Sequence, residues 1–279
     1  MNIQNSFDEM KPTLYIVSTP IGNLKDITFR AVETLKSVNL ILCEDTRTTS
    51  TLLQHYGIDV PLKSYQKFNE RAMVDYVLDF LESGKSLALV SDAGTPLISD
   101  PGYILIEALV EKNYNVVSIP GASALLAALT TSGLATQPFT FLGFLPRKVG
   151  EIKTVLSQYK ERTETLIIYE SPNRIDKTLD HILDVLGDRR LSIARELTKK
   201  FETYYRGICS QINKETLDRR GEYVIIIEGY QIKIDNTQDP ILLVDHYIAQ
   251  GLTEKEAIKQ ASNDLGVHKS EVYKLYKIE

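Results

Sequence analysis

A chain of 279 residues, 43% apolar and 25% charged, has material for about two packed domains and excludes a disordered or fibrous polypeptide. No apolar run approaches the ~20 residues that cross a bilayer, and the two cysteines, Cys43 and Cys209, have neither metal-ligand nor redox spacing, as suits a reducing cytoplasm. The net charge of −5 is uneven: residues 147–220 hold 16 Lys and Arg against 12 Asp and Glu, the remainder 16 against 25.

The first twelve residues include Asp8 and Glu9 and no long apolar core. They do not read as a signal peptide, and an N-terminal tail through residue 13 is expected on a cytoplasmic protein. Leu14-Tyr15-Ile16-Val17-Ser18 is the first predicted strand, and Ile27, Ala31, Val32 and Leu35 then recur at helical spacing. Leu40-Ile41-Leu42-Cys43 is the second strand and runs into Glu44-Asp45-Thr46-Arg47. Ser86–Val90 and Asn115–Ile119 are further strands, each followed by a proline-glycine loop and a helical pattern. This alternation predicts a mainly parallel sheet with helices on its faces. Thr140-Phe141-Leu142 reads as its last strand, and Gly143–Lys148 as the break after it, so an α/β domain is expected over 14–143.

The next unit, 144–238, has a different texture. A helix near 149–161 and the strand Thr165–Tyr169 precede a helix from Pro172. Strands near 190–195, 201–208 and 222–228 then follow without full helices between them, which predicts a mixed sheet. Residues 239–279 form a helical module. Thr253 and Glu256 make a capping box, Gly266 is placed to end that helix, and a second helix is expected over 269–277. The spacing resembles a helix-turn-helix, but five Lys against six Asp and Glu from Pro240 onward give no basic footprint. RNA contact and simple docking remain alternatives for it. On charge alone, RNA binding and a solvated basic face likewise both explain 147–220.

Three loops define a candidate pocket: Ser18–Asn23, Ser91–Gly102 and Pro120–Ala124. Strand carboxyl ends are where open α/β sheets bind ligands, and glycine there admits close backbone approach. None of the loops carries a phosphate-cradling Lys-Ser/Thr step, and G-x-G-x-x-G is absent. Their small, hydroxylated and amide groups suit a neutral or zwitterionic ligand. The loops supply as candidate ligand contacts Pro20, Ile21, Gly22, Asp92, Ala93, Gly94, Thr95, Pro96, Ile98, Gly121, Ser123 and Ala124.

Ser-Asp-Ala-Gly-Thr-Pro followed by Ser-Asp-Pro-Gly at 91–102 resembles the tetrapyrrole-methylase-like methyltransferases, and among them the branch that modifies ribosomal RNA. Supporting segments are Ser18–Leu24, Glu44–Arg47, Pro120–Ala124, Gly143–Lys148, Tyr169–Arg174, Ala194–Lys199 and Gly221–Val224. The wider family's first loop is richer in glycine, and its Gly-Asp-Pro reads Gly94-Thr95-Pro96 here, as fits the ribosomal branch. The resemblance implies a class III methyltransferase fold of two α/β domains with a cleft between them. It implies S-adenosylmethionine in that cleft, closed over by Tyr169, Glu170 and Leu197, and a homodimer without metal. The implied reaction is 2′-O-methylation of a cytidine in the decoding region of 16S rRNA, within the small ribosomal subunit. A tetrapyrrole methyltransferase and a non-catalytic RNA-binding protein are the alternatives.

Methyl transfer to a ribose hydroxyl needs in-line positioning and profits from a base. Glu44, Asp45 and Arg47 at a strand end, and Glu196 in the second domain, are the candidate catalytic residues. Each carboxylate has a plainer reading as a helix cap or ion-pair partner. Arg147, Arg174, Arg195 and Lys199 are candidate phosphate contacts, since guanidinium pairs bidentately with phosphate oxygens. His55, His181, His246 and His268 fall outside the loops and read as surface or packing residues.

Overall fold

Five parallel strands make the first sheet: β1 (Thr13–Val17), β2 (Leu40–Cys43), β3 (Leu62–Ser64), β4 (Leu87–Val90) and β5 (Asn115–Ile119). Their spatial order is β3-β2-β4-β1-β5. The computed structural model describes residues 3–6, 11–213, 215–231 and 239–277. Asp8 and Glu9 of the expected tail, Lys214, and residues 232–238 at the expected end of the second domain lie outside the described residues.

Side chains alternate across this sheet as the pleat requires. Leu14, Ile16, Leu42, Leu87 and Leu89 pack under α3 (Glu70–Glu82) and α4 (Tyr103–Glu111). Val17, Ile41, Cys43, Ala88 and Val90 pack under α1 (Phe29–Ser37) and α2 (Thr46–His55). After β1 the chain steps toward β2 and β3; after β4 it steps the other way, to β5. Right-handed crossovers send those two connections to opposite faces, so a crevice opens between the carboxyl ends of β1 and β4.

The second sheet holds β6 (Phe139–Phe144), β7 (Thr165–Glu170), β8 (Arg190–Arg195), β9 (Thr203–Ile208) and β10 (Tyr223–Ile227), in the order β6-β7-β10-β8-β9. β6 runs parallel to β7 and the other pairings are antiparallel. The run at 140–142, expected to close the first sheet, is therefore the edge of the second, and the expected break at 143/144 falls inside β6. The reason is α5 (Ala124–Thr131). Its Leu125, Ala128 and Leu129 pack on Ile167, Ala194, Val224 and Ile226, carrying the chain onto the second sheet before β6 begins. An apolar strand reads alike on either sheet. The opposite face is covered by α6 (Val149–Ser157), α7 (Ile175–Leu186) and the short α8 (Cys209–Ile212). Both sheets belong to one compact unit, residues 1–230.

Residues 231–279 form a second unit. It contains α9 (Pro240–Ala249), α10 (Glu254–Asp264) and α11 (Lys269–Lys277) around Leu243, Val244, Ala257, Ile258, Ala261 and Val272. The expected capping box is present, with the Glu256 carboxylate accepting from the Thr253 N–H at 3.0 Å. Gly266 turns the chain at φ +64° between α10 and α11. The sequence reading had no α9; Pro240 there is a helix start, where its missing N–H costs nothing.

Candidate active site

The three loops are tied to one another by hydrogen bonds. Thr19 and Gly94 exchange backbone bonds of 2.9 and 3.1 Å, joining the loops after β1 and β4. The Thr95 hydroxyl donates to the Ala122 carbonyl at 3.2 Å and lies 3.0 Å from the Ser18 hydroxyl, linking all three. The glycines permit this closeness. Gly94 sits at φ +79° with Ile21 Cγ2 3.1 Å from where a Cβ would stand, and a Cβ on Gly121 would come within 2.8 Å of Ser18 Cβ. Leu97 in this loop, and Glu196 and Thr198 in the loop after β8, are non-glycine residues at positive φ. Such strain clusters at functional sites.

Facing these loops are the ends of β7 and β10 and the loop after β8. Between them lies a cavity of about 380 Å³, lined on one side by Ile21, Asp92, Ala93, Gly94, Thr95, Ile98, Ser99, Asp100, Ser123 and Ala124. The other side is Phe144, Tyr169, Glu170, Leu197, Glu222, Tyr223 and Val224. The Tyr169 hydroxyl accepts from the Leu125 N–H at 3.1 Å, fixing the start of α5, while its ring packs edge-on against Phe141 and Phe144. Glu170 is buried and turned away, accepting from the Ser171 N–H at 2.7 Å and the Thr178 hydroxyl at 2.6 Å. It shapes the wall.

A wider cavity of about 860 Å³ adjoins the first, between the Thr19–Leu24 loop and α2, which contributes Thr48, Thr49, Thr51, Leu52, Gln54 and His55. Ile21, Asp92, Ala93 and Glu222 line both cavities. Pro20 and Gly22 line only the wider one. Pro96 lines a small recess with Glu44 and Tyr65, and Gly121 packs on Ser18 behind the loops. His55, read from sequence as surface or packing, is part of the wider cavity.

The four residues proposed as catalytic line neither of these cavities. Asp45 caps α2, accepting from the Arg47 N–H at 2.8 Å and pairing with its guanidinium at 2.7 Å. Those hydrogen bonds hold its pKa down to about 2 and keep Arg47, which is 90% exposed, on the helix it caps. Glu196 pairs with Lys199 at 2.8 Å, which lowers its pKa, and accepts from the Glu222 N–H. Glu44 is half-buried in the recess, where burial and the nearby Asp92 and Asp100 raise its pKa. A carboxylate between a strand and a helix is most simply satisfied by the helix it precedes.

Of the basic candidates, Arg195 is buried, donating to the Arg220 carbonyl at 2.8 Å and pairing with Asp218 at 2.9 Å; it holds β8 to the 218–222 loop and is not free for phosphate. Arg174 is committed to the Leu145 and Pro146 carbonyls at 3.0 and 2.8 Å. Arg147 is exposed and has no hydrogen-bond or ion-pair partner among the described residues. Lys199 lines the wider cavity, lies across Gly22, and is held by Glu196 and Glu222. Among the described residues no cluster suits a metal and no helix is long and apolar enough to cross a membrane.

The sequence reading missed Asp100, Phe144 and Glu222 as lining residues. Asp100 shares its loop with Asp92, the one signal available. Burial, then Asp92, raises its pKa against the opposing Ser91 hydroxyl. Its charged form is thus what folding disfavours: the penalty is absent well below the unfolded value of ~3.9 and complete above the raised folded value. Asp100→Asn should therefore raise the melting temperature at pH 7 and leave it unchanged near pH 3, measured by circular dichroism.

The paired sheets and ligand-sized cleft are those of a class III methyltransferase, and the family model for Tetrapyrrole (Corrin/Porphyrin) Methylases matches residues 13–213. A solved diphthine synthase shares the fold, with a TM-score of 0.60 at 13% identity over 77% of this chain and 90% of that one. Ribosomal RNA small subunit methyltransferase I of Halalkalibacterium halodurans is 44% identical over 99% of both chains. The Bacillus subtilis protein of that name is 45% identical over 95% of this chain and 94% of its own. The chain belongs to the ribosomal RNA small subunit methyltransferase I family, within the tetrapyrrole methylases.

Proposed function

We propose that this protein methylates the 2′-hydroxyl of a cytidine in the decoding region of 16S rRNA, on the small ribosomal subunit, using S-adenosylmethionine. The observation that carries the reading is the 380 Å³ cavity closed by loops from both sheets, in a chain whose relatives are named for small-subunit RNA. The cavity's chemistry suits that donor. Ile21, Ile98, Tyr169, Leu197 and Val224 offer apolar walls for an adenosyl group, and Asp92 and Asp100 a negative field for a sulfonium and an ammonium. Among the described residues that line it there is no lysine or arginine to hold a polyphosphate. Bound there, the donor supplies an electrophilic methyl group on a cationic sulfur. The protein's part is to orient it and, through Tyr169 and Phe144, to shelter it from water. We place the protein in the cytoplasm as a two-fold dimer, the commonest oligomer; a light-scattering mass near 31.5 kDa would count against the dimer.

Mapping 2′-O-methylation of 16S rRNA from cells with and without the gene tests the reading. Loss of one cytidine methyl in the deletion is expected, and an unchanged map overturns it. The two arginines of contrasting environment should separate in RNA binding. Arg147→Ala should weaken binding and reduce the salt slope by roughly one. Arg195→Ala should leave the slope unchanged and lower stability instead, as salt-dependent binding and thermal melts will report.

A further inference from the structure

Methyl transfer requires donor and acceptor to meet, and the two cavities meet at a wall of four residues: Ile21, Asp92, Ala93 and Glu222. Two of these can take a proton. Glu222 Oε2 lies 3.3 Å from Lys199 Nζ, and that side chain is 79% exposed. Asp92 Oδ1 accepts from the Asp45 N–H at 3.1 Å, an anchor at the start of α2, and its second oxygen has no hydrogen-bond partner among the described residues. The carboxylates of Glu44 and Asp100 stand close enough to Asp92 for its charge to raise both of them, and Lys199 lines the same wider cavity.

The wider cavity has the makings of a nucleoside site. Thr48, Thr51, Leu52 and His55 lie at helical spacing on one face of α2, giving an apolar surface and a ring for a base to lie on, with hydroxyls at its edge. Lys199 is the one lysine or arginine among the described residues lining either cavity, and it supplies a cation for a phosphate. A ribose hydroxyl reaches such a depth only when its nucleotide leaves the stack, as in base-modifying enzymes.

We propose that the wider cavity is the acceptor subsite for a splayed-out ribonucleoside and that Asp92 is the proton acceptor for its 2′-hydroxyl. This rests on the methyltransferase reading above. In the step, the O–CH₃ bond forms as the CH₃–S bond breaks, the sulfur keeps the electron pair as a neutral thioether, and the hydroxyl proton passes to Asp92 Oδ2. Charge is conserved without any oxidant or further reactant. Asp92 thereby moves from a contact of the donor to a group at the boundary of both ligands.

The test uses the full-length protein, purified small ribosomal subunits, and two variants. For Asp92→Asn, which keeps the side chain's shape at the donor cavity but removes its charge, calorimetry with S-adenosylhomocysteine should show a loss of affinity of no more than about tenfold, well short of the loss of rate. The single-turnover rate should fall by about 10²–10⁴-fold. Thr48→Trp, which fills the α2 groove, should raise the KM for subunits at least ~10-fold with the same thioether affinity. Asp92→Asn keeping more than about a tenth of the rate, or losing thioether affinity in step with rate, overturns the base assignment. An unchanged KM in Thr48→Trp overturns the subsite. Wild-type protein that leaves subunits unmethylated overturns the underlying reading, and this proposal with it; an active wild type beside an active Asp92→Asn overturns the proposal alone.

Discussion

Glu70→Ala should destabilise the 1–230 unit by about 3–4 kcal/mol, lowering its melting temperature by roughly 10 °C. Glu70 opens α3, is buried, and spends one oxygen on three donors. Oε1 accepts from the Gly102 N–H at 2.8 Å, the Ile104 N–H at 3.3 Å and the Tyr65 hydroxyl at 3.1 Å. Gly102 is the N-cap of α4 and has no side chain to do this work, so Glu70 caps a helix more than thirty residues away. Alanine leaves those donors without a partner in a dry place, each worth about 1–3 kcal/mol before any water enters. Glu70→Gln keeps an acceptor oxygen and should lose much less. Urea unfolding of the two variants checks this, and a Glu70→Ala loss under ~1 kcal/mol would show that α4 does not depend on the carboxylate.

Gly94→Val should lower affinity for S-adenosylhomocysteine by at least ~100-fold in a protein that still folds. At φ +79° a β-branched residue is strained, and its Cβ would stand 3.1 Å from Ile21 Cγ2. Ile21 belongs to both cavities, so relief of that contact pushes its side chain into the space the ligand needs. The Thr19–Gly94 backbone pair resists the alternative, a shift of the loop. Gly94→Ala carries the backbone cost with fewer atoms and should fall between. Calorimetry on the folded variants decides it: wild-type affinity in Gly94→Val would remove this loop from the site.

The loops after β1, β4 and β5 were legible because glycine and proline mark chain turns wherever the rest of the molecule lies. The strands before them were legible as buried apolar runs, and so was the mixed character of the second sheet, though that sheet begins at Phe139 and not at the expected break. What failed was whatever depends on a distant partner. Phe139–Phe144 reads as a strand but carries no mark of which sheet it joins. Arg195 reads as a basic residue in a basic segment, and only the fold brings Asp218 to it. Asp45 is different. Its partner Arg47 is two residues away, and the helix-cap reading was open from the start. Asp92 was found by its loop, but its place between two cavities depends on α2, which belongs to another crossover.

Helix α5 follows the first sheet and covers the second, with its Leu125, Ala128 and Leu129 side chains set against strands that end at Ile227. During synthesis this helix leaves the ribosome roughly a hundred residues ahead of the last strand it will cover. At about 5–20 residues per second it waits some 5–20 s with its apolar stripe facing water. The nascent first half therefore carries an uncovered apolar stripe until the second sheet is complete. For the same reason the gene has no cut point between the sheets: a fragment ending after β5 leaves the second sheet bare, and one ending after α5 carries away its cover.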